Sequence, residues 1–182
     1  MAGEFIRVRS ATGVAVIETV AAALRRQATV LDIGAGSGEP LTRILVEKGF
    51  SVSAIDASPN MVAAFRRNFP DVEIVCEPAE TSRFFDRCFD AVVAVGLVFL
   101  LPEGAQRRLI PRMAEVVKPG GRLLFSAPEQ TGSWDDLLTG QQSFSLGSAE
   151  YCRILSGCGM EVVADHRDEG GSHYYEARKP SD

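Results

Sequence analysis

The chain has 182 residues, 46% of them hydrophobic, and a mean hydropathy of +0.04, which suffices for one substantial core and leaves no room for two, so a single domain over 1–182 is expected. A formal charge of −5 and a pI of about 5.1 exclude a general attraction to phosphate backbones or anionic membranes, so neither nucleic acid nor membrane is an expected partner. The charged N-terminus Met1–Ser10 lacks an apolar leader core, no stretch approaches a membrane span, and Cys76, Cys88, Cys152 and Cys158 have neither CxxC spacing nor nearby histidines. The cysteines therefore read as reduced thiols with no metal, and a cytoplasmic location is expected.

In chain order, helical spacing over Val14–Arg26 precedes a first strand, Thr29–Ile33, and a helix over Leu41–Lys48 that ends at Gly49. Strand Ser51–Ile55 follows, and then Ser58 and Pro59 open helix Asn60–Asn68 as N-cap and first-turn proline. Strand Val72–Cys76, strand Cys88–Val95, helix Glu103–Val117 and strand Gly121–Ala127 come next. The segment Pro128–Gly147, rich in Gly, Ser, Thr and Gln, reads as a long loop of the kind that carries function. Helix Ser148–Ser156 and strands Met160–His166 and His173–Lys179 close the chain, the last two joined by Asp168-Glu169-Gly170-Gly171-Ser172 as an antiparallel hairpin. Alternation of strands and helices predicts a doubly wound α/β domain with a mainly parallel sheet. The pairs Arg25–Arg26, Arg66–Arg67 and Arg107–Arg108 fall on amphipathic helices and read as solvated faces.

The most informative residues are Val30–Pro40, VLDIGAGSGEP, in which an apolar strand ends in an acidic residue and alternating glycines. Gly34, Gly36 and Gly38 allow a tight turn against a ligand, and the helix that follows presents free N–H groups. Dinucleotides and S-adenosylmethionine both use such a turn. Asp56, about 20 residues past the glycines, can accept both hydroxyls of a ribose in either ligand. Asp32, two places before the first glycine, favours a ligand carrying positive charge, as the sulfonium and ammonium of S-adenosylmethionine do.

In order and spacing these segments resemble the class I S-adenosylmethionine-dependent methyltransferases, from about Val14 to Pro180. VLDIGAGSGEP resembles the first motif of that superfamily, SAIDAS (Ser53–Ser58) the acidic end of its second strand, and FDAVVAVGLVFLL (Phe89–Leu101) its fourth strand and following loop. VVKPGGRLLFSAP (Val116–Pro128) resembles its Pro-Gly-Gly turn and fifth strand. The resemblance implies a seven-stranded, mainly parallel sheet with a C-terminal antiparallel strand. It also implies S-adenosylmethionine as cofactor, S-adenosylhomocysteine as product and methyl transfer to a small-molecule acceptor.

Carried over by position, the backbone of Gly34, Ala35 and Gly36 would pass along the methionine and ribose, Asp32 would face the cationic end, and Asp56 would hold the ribose hydroxyls. Ala57 and Met61 would lie against the adenine, with Val95 completing the cofactor set. Relatives read the adenine edge with an Asp-Ala pair after the third strand. Here Pro78 and Ala79 stand there, so that recognition falls to Glu80, to backbone or to water. The apolar loop Gly96-Leu97-Val98-Phe99-Leu100 suggests a dry acceptor pocket, with Gly96, Phe99, Trp134 and Tyr174 as its lining and His173 as the candidate base. Methyl transfer needs the acceptor held in line and water excluded, not a protein nucleophile.

Two other classes stay open at this point: a cofactor-binding protein without transfer activity, and a nicotinamide-dependent reductase, which Asp32 and the terminal hairpin oppose. Only 29 residues precede Val30. This implies a short lid, with a pocket that is open or closed by a partner subunit, in a monomer or homodimer.

Overall fold

The computed structural model describes residues 13–136 and 140–181. The stretch Met1–Ser10 and positions 137–139 of the long loop lie outside them. Alternating apolar runs become the strands β1 (Thr29–Ile33), β2 (Ser51–Asp56), β3 (Glu73–Cys76), β4 (Phe89–Ala94), β5 (Val117–Ser126), β8 (Glu161–Arg167) and β9 (His173–Arg178). They form one sheet in the order β3-β2-β1-β4-β5-β9-β8. The first five strands pair in parallel, and β9 runs antiparallel to both β5 and β8. The expected seven-stranded, mainly parallel, doubly wound sheet with a reversed strand near the C-terminus is therefore present.

Successive strand residues point to opposite faces, which sorts the core into layers. On one face Leu31, Ile33, Val92, Leu123 and Phe125 pack with Leu109, Ile110 and Met113 of α4 (Glu103–Glu115) and with Tyr151 and Leu155 of α5 (Ser148–Gly157). On the other, Val30, Val52, Val93 and Leu124 meet Val16, Ile17 and Val20 of α1 (Val14–Ala22) and Leu45 of α2 (Leu41–Glu47). Val62, Phe65 and Phe69 seat α3 (Pro59–Asn68) on Ala54 and Ile74.

Two expectations need correction. Val117 belongs to β5, paired with Phe89, and not to the helix before it, because a register shift at Phe89/Ala91 accommodates the Pro-Gly-Gly turn within the strand. The long connection is also more than a loop: Gly132–Asp135 (β6) and Gln142–Ser145 (β7) form a two-stranded antiparallel sheet of their own. Its neck is tied by Thr131 Oγ1 donating to Leu146 O (2.9 Å), Ser145 Oγ to Pro128 O (2.8 Å) and Ser148 N to Glu129 O (2.9 Å). The fully buried Gln106 of α4 anchors it further, donating through Nε2 to Phe144 O (2.9 Å) and Leu101 O (2.8 Å) while its Oε1 accepts from the Tyr151 hydroxyl (2.6 Å).

At the opposite end of the sheet, Asp90 accepts from Thr29 N and Thr29 Oγ1 (both 2.8 Å), Arg25 Nη2 (3.0 Å) and Lys118 Nζ (3.2 Å). Desolvation alone would raise its pKa, but these donors outweigh it and hold the carboxyl far below the usual carboxylate range. A depressed folded-state pKa contributes stability that is complete above the unfolded value near 3.9 and is lost as pH falls toward the folded one. Asp90→Asn should therefore cost about 1–2 kcal/mol at pH 7, the low part of the range for charge-assisted bonds because the solvent-exposed Arg25 is screened. In urea titrations at pH 7 and pH 3 the gap between variant and wild type should narrow at the lower pH, where the unfolded carboxyl is largely protonated while the folded one is still ionised. An unchanged gap would refute this reading.

Candidate functional site

The strand order reverses between β1 and β4, which opens a crevice above their carboxyl ends. There the chain leaves β1 and bends across β2, with Gly34 N and Ala35 N donating to Ile55 O at 2.8 and 3.1 Å. Gly34 has φ +72°, and a Cβ on it would lie 3.2 Å from Leu97 Cβ, so the turn and the loop after β4 approach closely only because the side chain is missing. The Asp56 carboxylate stitches the turn to α3, accepting from Gly36 N through Oδ2 and from Ser58 N through Oδ1, both at 2.8 Å. A carboxylate offers about four lone-pair positions, so roughly two remain for a ligand. Asp32 is buried at the base of the crevice and accepts from Thr42 Oγ1 at 2.7 Å. Ala57 is exposed on the rim and Met61 half-buried in the first turn of α3. Asp32, Gly34, Ala35, Gly36, Asp56, Ala57 and Met61 thus gather around one crevice, with Val95 and Gly96 half-buried at the end of the neighbouring β4.

On the β3 side, Glu77 N donates to Asp56 O (3.1 Å) and leads into a turn over Pro78–Ser82. This turn depends on a residue that sequence reasoning missed. Arg112 of α4 donates through Nη1 to Ala79 O (3.0 Å) and Glu80 O (2.6 Å), donates through Nη2 to Ser82 O, and stacks its guanidinium 5.0 Å from the Phe84 ring centroid. In sequence an arginine on a helix reads as solvated, and nothing local announces three carbonyl partners some thirty residues away. Ala79 is buried and Glu80 exposed.

Beyond β4 and β5 lies a cavity of about 460 Å³. Its walls include Phe99 after β4, Ser126–Gln130 at the end of β5, Trp134 of β6, and Arg167 and Gly171–His173 of the terminal hairpin. Gly96 N donates to Ser126 Oγ (2.8 Å), which ties the two strand ends together beneath it. Phe99 and Trp134 form an aromatic wall, centroids 6.1 Å apart and planes at 33°.

Because β9 sits between β5 and the edge strand β8, His173 at its start is placed in this cavity, and its side chain is only 4% exposed. The ring rests edge-on against Tyr175 at 4.7 Å. Among the described residues its Nδ1 has no hydrogen-bond partner: Glu129 Oε1 is 3.7 Å away, and on the other side of the ring Asp165 Oδ2 lies 3.9 Å from Nε2. Burial lowers the pKa of His173 below the ordinary 6.5, against the opposing pull of Glu129 and Asp165, so the ring is neutral at pH 7. Glu129, Asp165 and His173 offer ligand atoms within 4.8 Å of one another, but the Arg167 guanidinium already pairs with Glu129 and supplies positive charge there.

Tyr174, grouped with His173 from sequence, is not brought into the cavity. Strand alternation turns it to the opposite face, where it is fully buried against α1 and donates to Asp168 Oδ2 at 2.7 Å. Tyr175 takes the cavity side instead. Its hydroxyl bonds Ser148 Oγ at 2.8 Å, and burial pushes its pKa up to about 12, so it stays protonated behind His173. His166 lies outside the cavity lining and bonds Glu176 at 2.7 Å.

Residues 30–121 match a protein family described as a methyltransferase domain. An uncharacterized methyltransferase of Mycobacterium tuberculosis is 42% identical over 103 residues, which span 56% of this chain and 39% of that protein. A glycine/sarcosine N-methyltransferase of Parasynechococcus marenigrum is 33% identical over 150 residues, 78% of this chain and 50% of that one. The chain thus spans half or less of the length of these curated relatives. Among solved structures, a Burkholderia thailandensis 1,6-didemethyltoxoflavin-N1-methyltransferase bound to 1,6-didemethyltoxoflavin and S-adenosylhomocysteine superposes with a TM-score of 0.78. The match covers 99% of this chain and 83% of that one at 23% identity, which establishes the shared fold.

Proposed function

The chain belongs to the methyltransferase-domain family, and from that premise we propose that it transfers the methyl group of S-adenosylmethionine to a small-molecule acceptor held in the cavity beside the crevice. The observation that carries this reading is the pairing of the two spaces. A ligand crevice with a carboxylate at Asp56 and a side-chain-free turn at Gly34 opens next to a cavity whose walls are Phe99, Trp134 and His173.

The residues fit the adenosyl ligand. Two open positions on Asp56 suit vicinal ribose hydroxyls, the backbone of Gly34, Ala35 and Gly36 leaves room for the chain that follows, and the buried Asp32 opposes its positive end. Ala57 and Met61 would flank the base, Ala79 and Glu80 would lie at its edge, and Val95 with Gly96 would stand at the reactive end. The bound group supplies a methyl carbon already activated by the sulfonium. The protein's part is to orient the acceptor, exclude water and take up a proton where the acceptor has one to lose. His173 is assigned that last part, since it lines the cavity, burial favours its neutral form, and its Nδ1 has no hydrogen-bond partner among the described residues. A volume of about 460 Å³ suits a compact acceptor, and the net charge of −5 disfavours a polyanionic one. The similar proteins of Parasynechococcus marenigrum and Burkholderia thailandensis are methyltransferases of glycine or sarcosine and of 1,6-didemethyltoxoflavin, both small acceptors. No described helix is long and apolar enough to cross a membrane.

Calorimetry tests the core of this. S-adenosylhomocysteine should bind with Kd below about 100 μM, roughly −5.5 kcal/mol, and NAD should not bind. Saturable NAD binding with no response to the adenosyl ligand would end the methyl-transfer reading.

The role of His173 has its own test. The chain has two histidines, so proton NMR can follow both. The resonance that vanishes in His173→Asn should titrate below 6.5. Turnover, read as S-adenosylhomocysteine release across a panel of phenols and amines, should fall as pH drops through that value. The substitution should remove this acid limb and cost about a hundredfold in kcat, the lower end for loss of a general base. A wild-type profile in the variant would make His173 a packing residue.

A further inference from the structure

We propose that Gln106, which has no place in the lining of the acceptor cavity, positions that cavity's two aromatic wall residues and thereby selects for an aromatic acceptor. The inference rests on the methyl-transfer reading of the same site and narrows its acceptor to one class.

It starts from a polar residue on an apolar stripe. Gln106 shares the inner face of α4 with Leu109, Ile110 and Met113 at helical spacing, and all four are fully buried. An amide buried there is costly unless its polar atoms are paired, and a leucine would cover the same face without that demand. Packing of the helix therefore does not explain a glutamine. Its partners do.

The amide Nε2 donates to Leu101 O (2.8 Å) and Phe144 O (2.9 Å), and because a carbonyl oxygen can only accept, the amide has one workable orientation. Oε1 then meets the Tyr151 hydroxyl of α5, which donates to it at 2.6 Å and accepts from Leu146 N at 3.1 Å. Neither carbonyl belongs to α4. Leu101 caps the short turn Val98–Leu100 that carries Phe99, and Phe144 lies in β7 opposite Ser133, the neighbour of Trp134 in β6. One buried side chain thus ties together the two segments on which the aromatic wall stands, and Tyr151 holds it in place.

What this tie governs is the relation of two rings. Phe99 and Trp134 stand with centroids 6.1 Å apart and planes at 33°, an arrangement that a bound ring extends by edge or offset contact only while both stay where they are. A saturated acceptor gains less from such a pair. Ala127 and Pro128 add apolar lining, and His173 supplies the polar end. An aromatic ring bearing its own nucleophilic oxygen or nitrogen suits this division. Gln106 is a positioning residue here, acting through Phe99 and Trp134.

Trp134 is the chain's one tryptophan, so tryptophan fluorescence reports on the wall directly. The experiment titrates the whole chain, with S-adenosylhomocysteine present, with 4-nitrophenol, whose absorption overlaps that emission. Quenching of wild type should saturate, and cyclohexanol should compete roughly three- to tenfold more weakly than phenol. In Gln106→Met the probe should bind about tenfold more weakly, while the Kd of S-adenosylhomocysteine stays within about threefold of wild type. Trp134 emission should also move to longer wavelength and be quenched more readily by acrylamide. Tyr151→Phe keeps the ring and removes only the hydroxyl, so it should show the same changes at smaller size.

A Gln106→Met protein that melts lower but leaves Trp134 emission and probe affinity as in wild type would make Gln106 a packing residue and overturn the proposal. Should that variant fail to fold, Tyr151→Phe decides, and an unchanged Trp134 signal there overturns it equally. So would unsaturable quenching of wild type, or cyclohexanol competing as well as phenol. Failure of wild type to bind S-adenosylhomocysteine would sink the methyl-transfer reading itself, a result separate from every fluorescence outcome.

Discussion

Asp56→Ala is expected to weaken binding of S-adenosylhomocysteine about tenfold to a hundredfold, since the ribose hydroxyls would lose a charged acceptor in a partly dry crevice, a loss of roughly 1.5–3 kcal/mol in all. The structure adds a second effect. Asp56 also holds Gly36 N and Ser58 N, so the alanine variant frees two backbone donors and should melt somewhat lower. Asp56→Asn separates the two roles: it keeps the shape and one carbonyl oxygen, but turns an amide N–H₂ toward one of those donors. Its affinity should fall between wild type and alanine. Calorimetry beside thermal melts gives the answer, and alanine binding as well as wild type with an unchanged melt would remove Asp56 from the site.

Gly38→Ala should be among the most destabilising small substitutions in the chain. At φ +83° any Cβ is strained, by about 1–2 kcal/mol. The methyl would also stand 2.3 Å from Phe69 Cε2 and 3.0 Å from Phe65 Cδ2, where both rings are buried under α3 and pack 5.1 Å apart. Overpacking of this kind costs about 1–3 kcal/mol more. Together these lower the melting temperature by roughly 5–15 °C for a domain of this size. Gly38→Ala combined with Phe69→Leu should recover part of the loss, because only the crowding is relieved. A melt within about 2 °C of wild type would show that α3 yields freely. The glycine turn is thus constrained from below by packing, and on the proposed function from above by its ligand as well.

Much of this architecture was legible because its signals are local. Buried parallel strands are short apolar runs, the glycine turn marks the end of the first, and Asp32 and Asp56 stand at strand ends where carboxylates face a crevice. The β6–β7 hairpin escaped notice for the opposite reason. Gly132–Asp135 is largely exposed and Gln142–Ser145 buries only serines, so neither shows the apolar alternation by which a strand is read. Tyr174 was a different failure. Its neighbour His173 drew it into the pocket, although period-two alternation alone says that His173 and Tyr175 share a face and Tyr174 does not. Arg112 could not have been found this way, since its partners are defined only once α4 meets the Ala79–Ser82 turn that follows β3. Likewise Phe84, Phe85 and Asp86 hold left-handed backbone at φ +47°, +60° and +52°, which no local preference of those residues foretells.

The tied neck of the β6–β7 hairpin bears on how such a protein diversifies. Its two ends are cross-braced at Thr131, Ser145 and Ser148, and Gln106 grips Phe144 from the helix behind. The described parts of the hairpin thus hang from a clamp built largely from backbone groups and from side chains outside β6. Trp134 lies on the part that the clamp holds, whereas Asp56 and the glycine turn belong to the sheet and its first connections. On the proposed function, substitutions at Trp134 and its β6 neighbours would alter which acceptor is welcomed while leaving the crevice at Asp56 as it is.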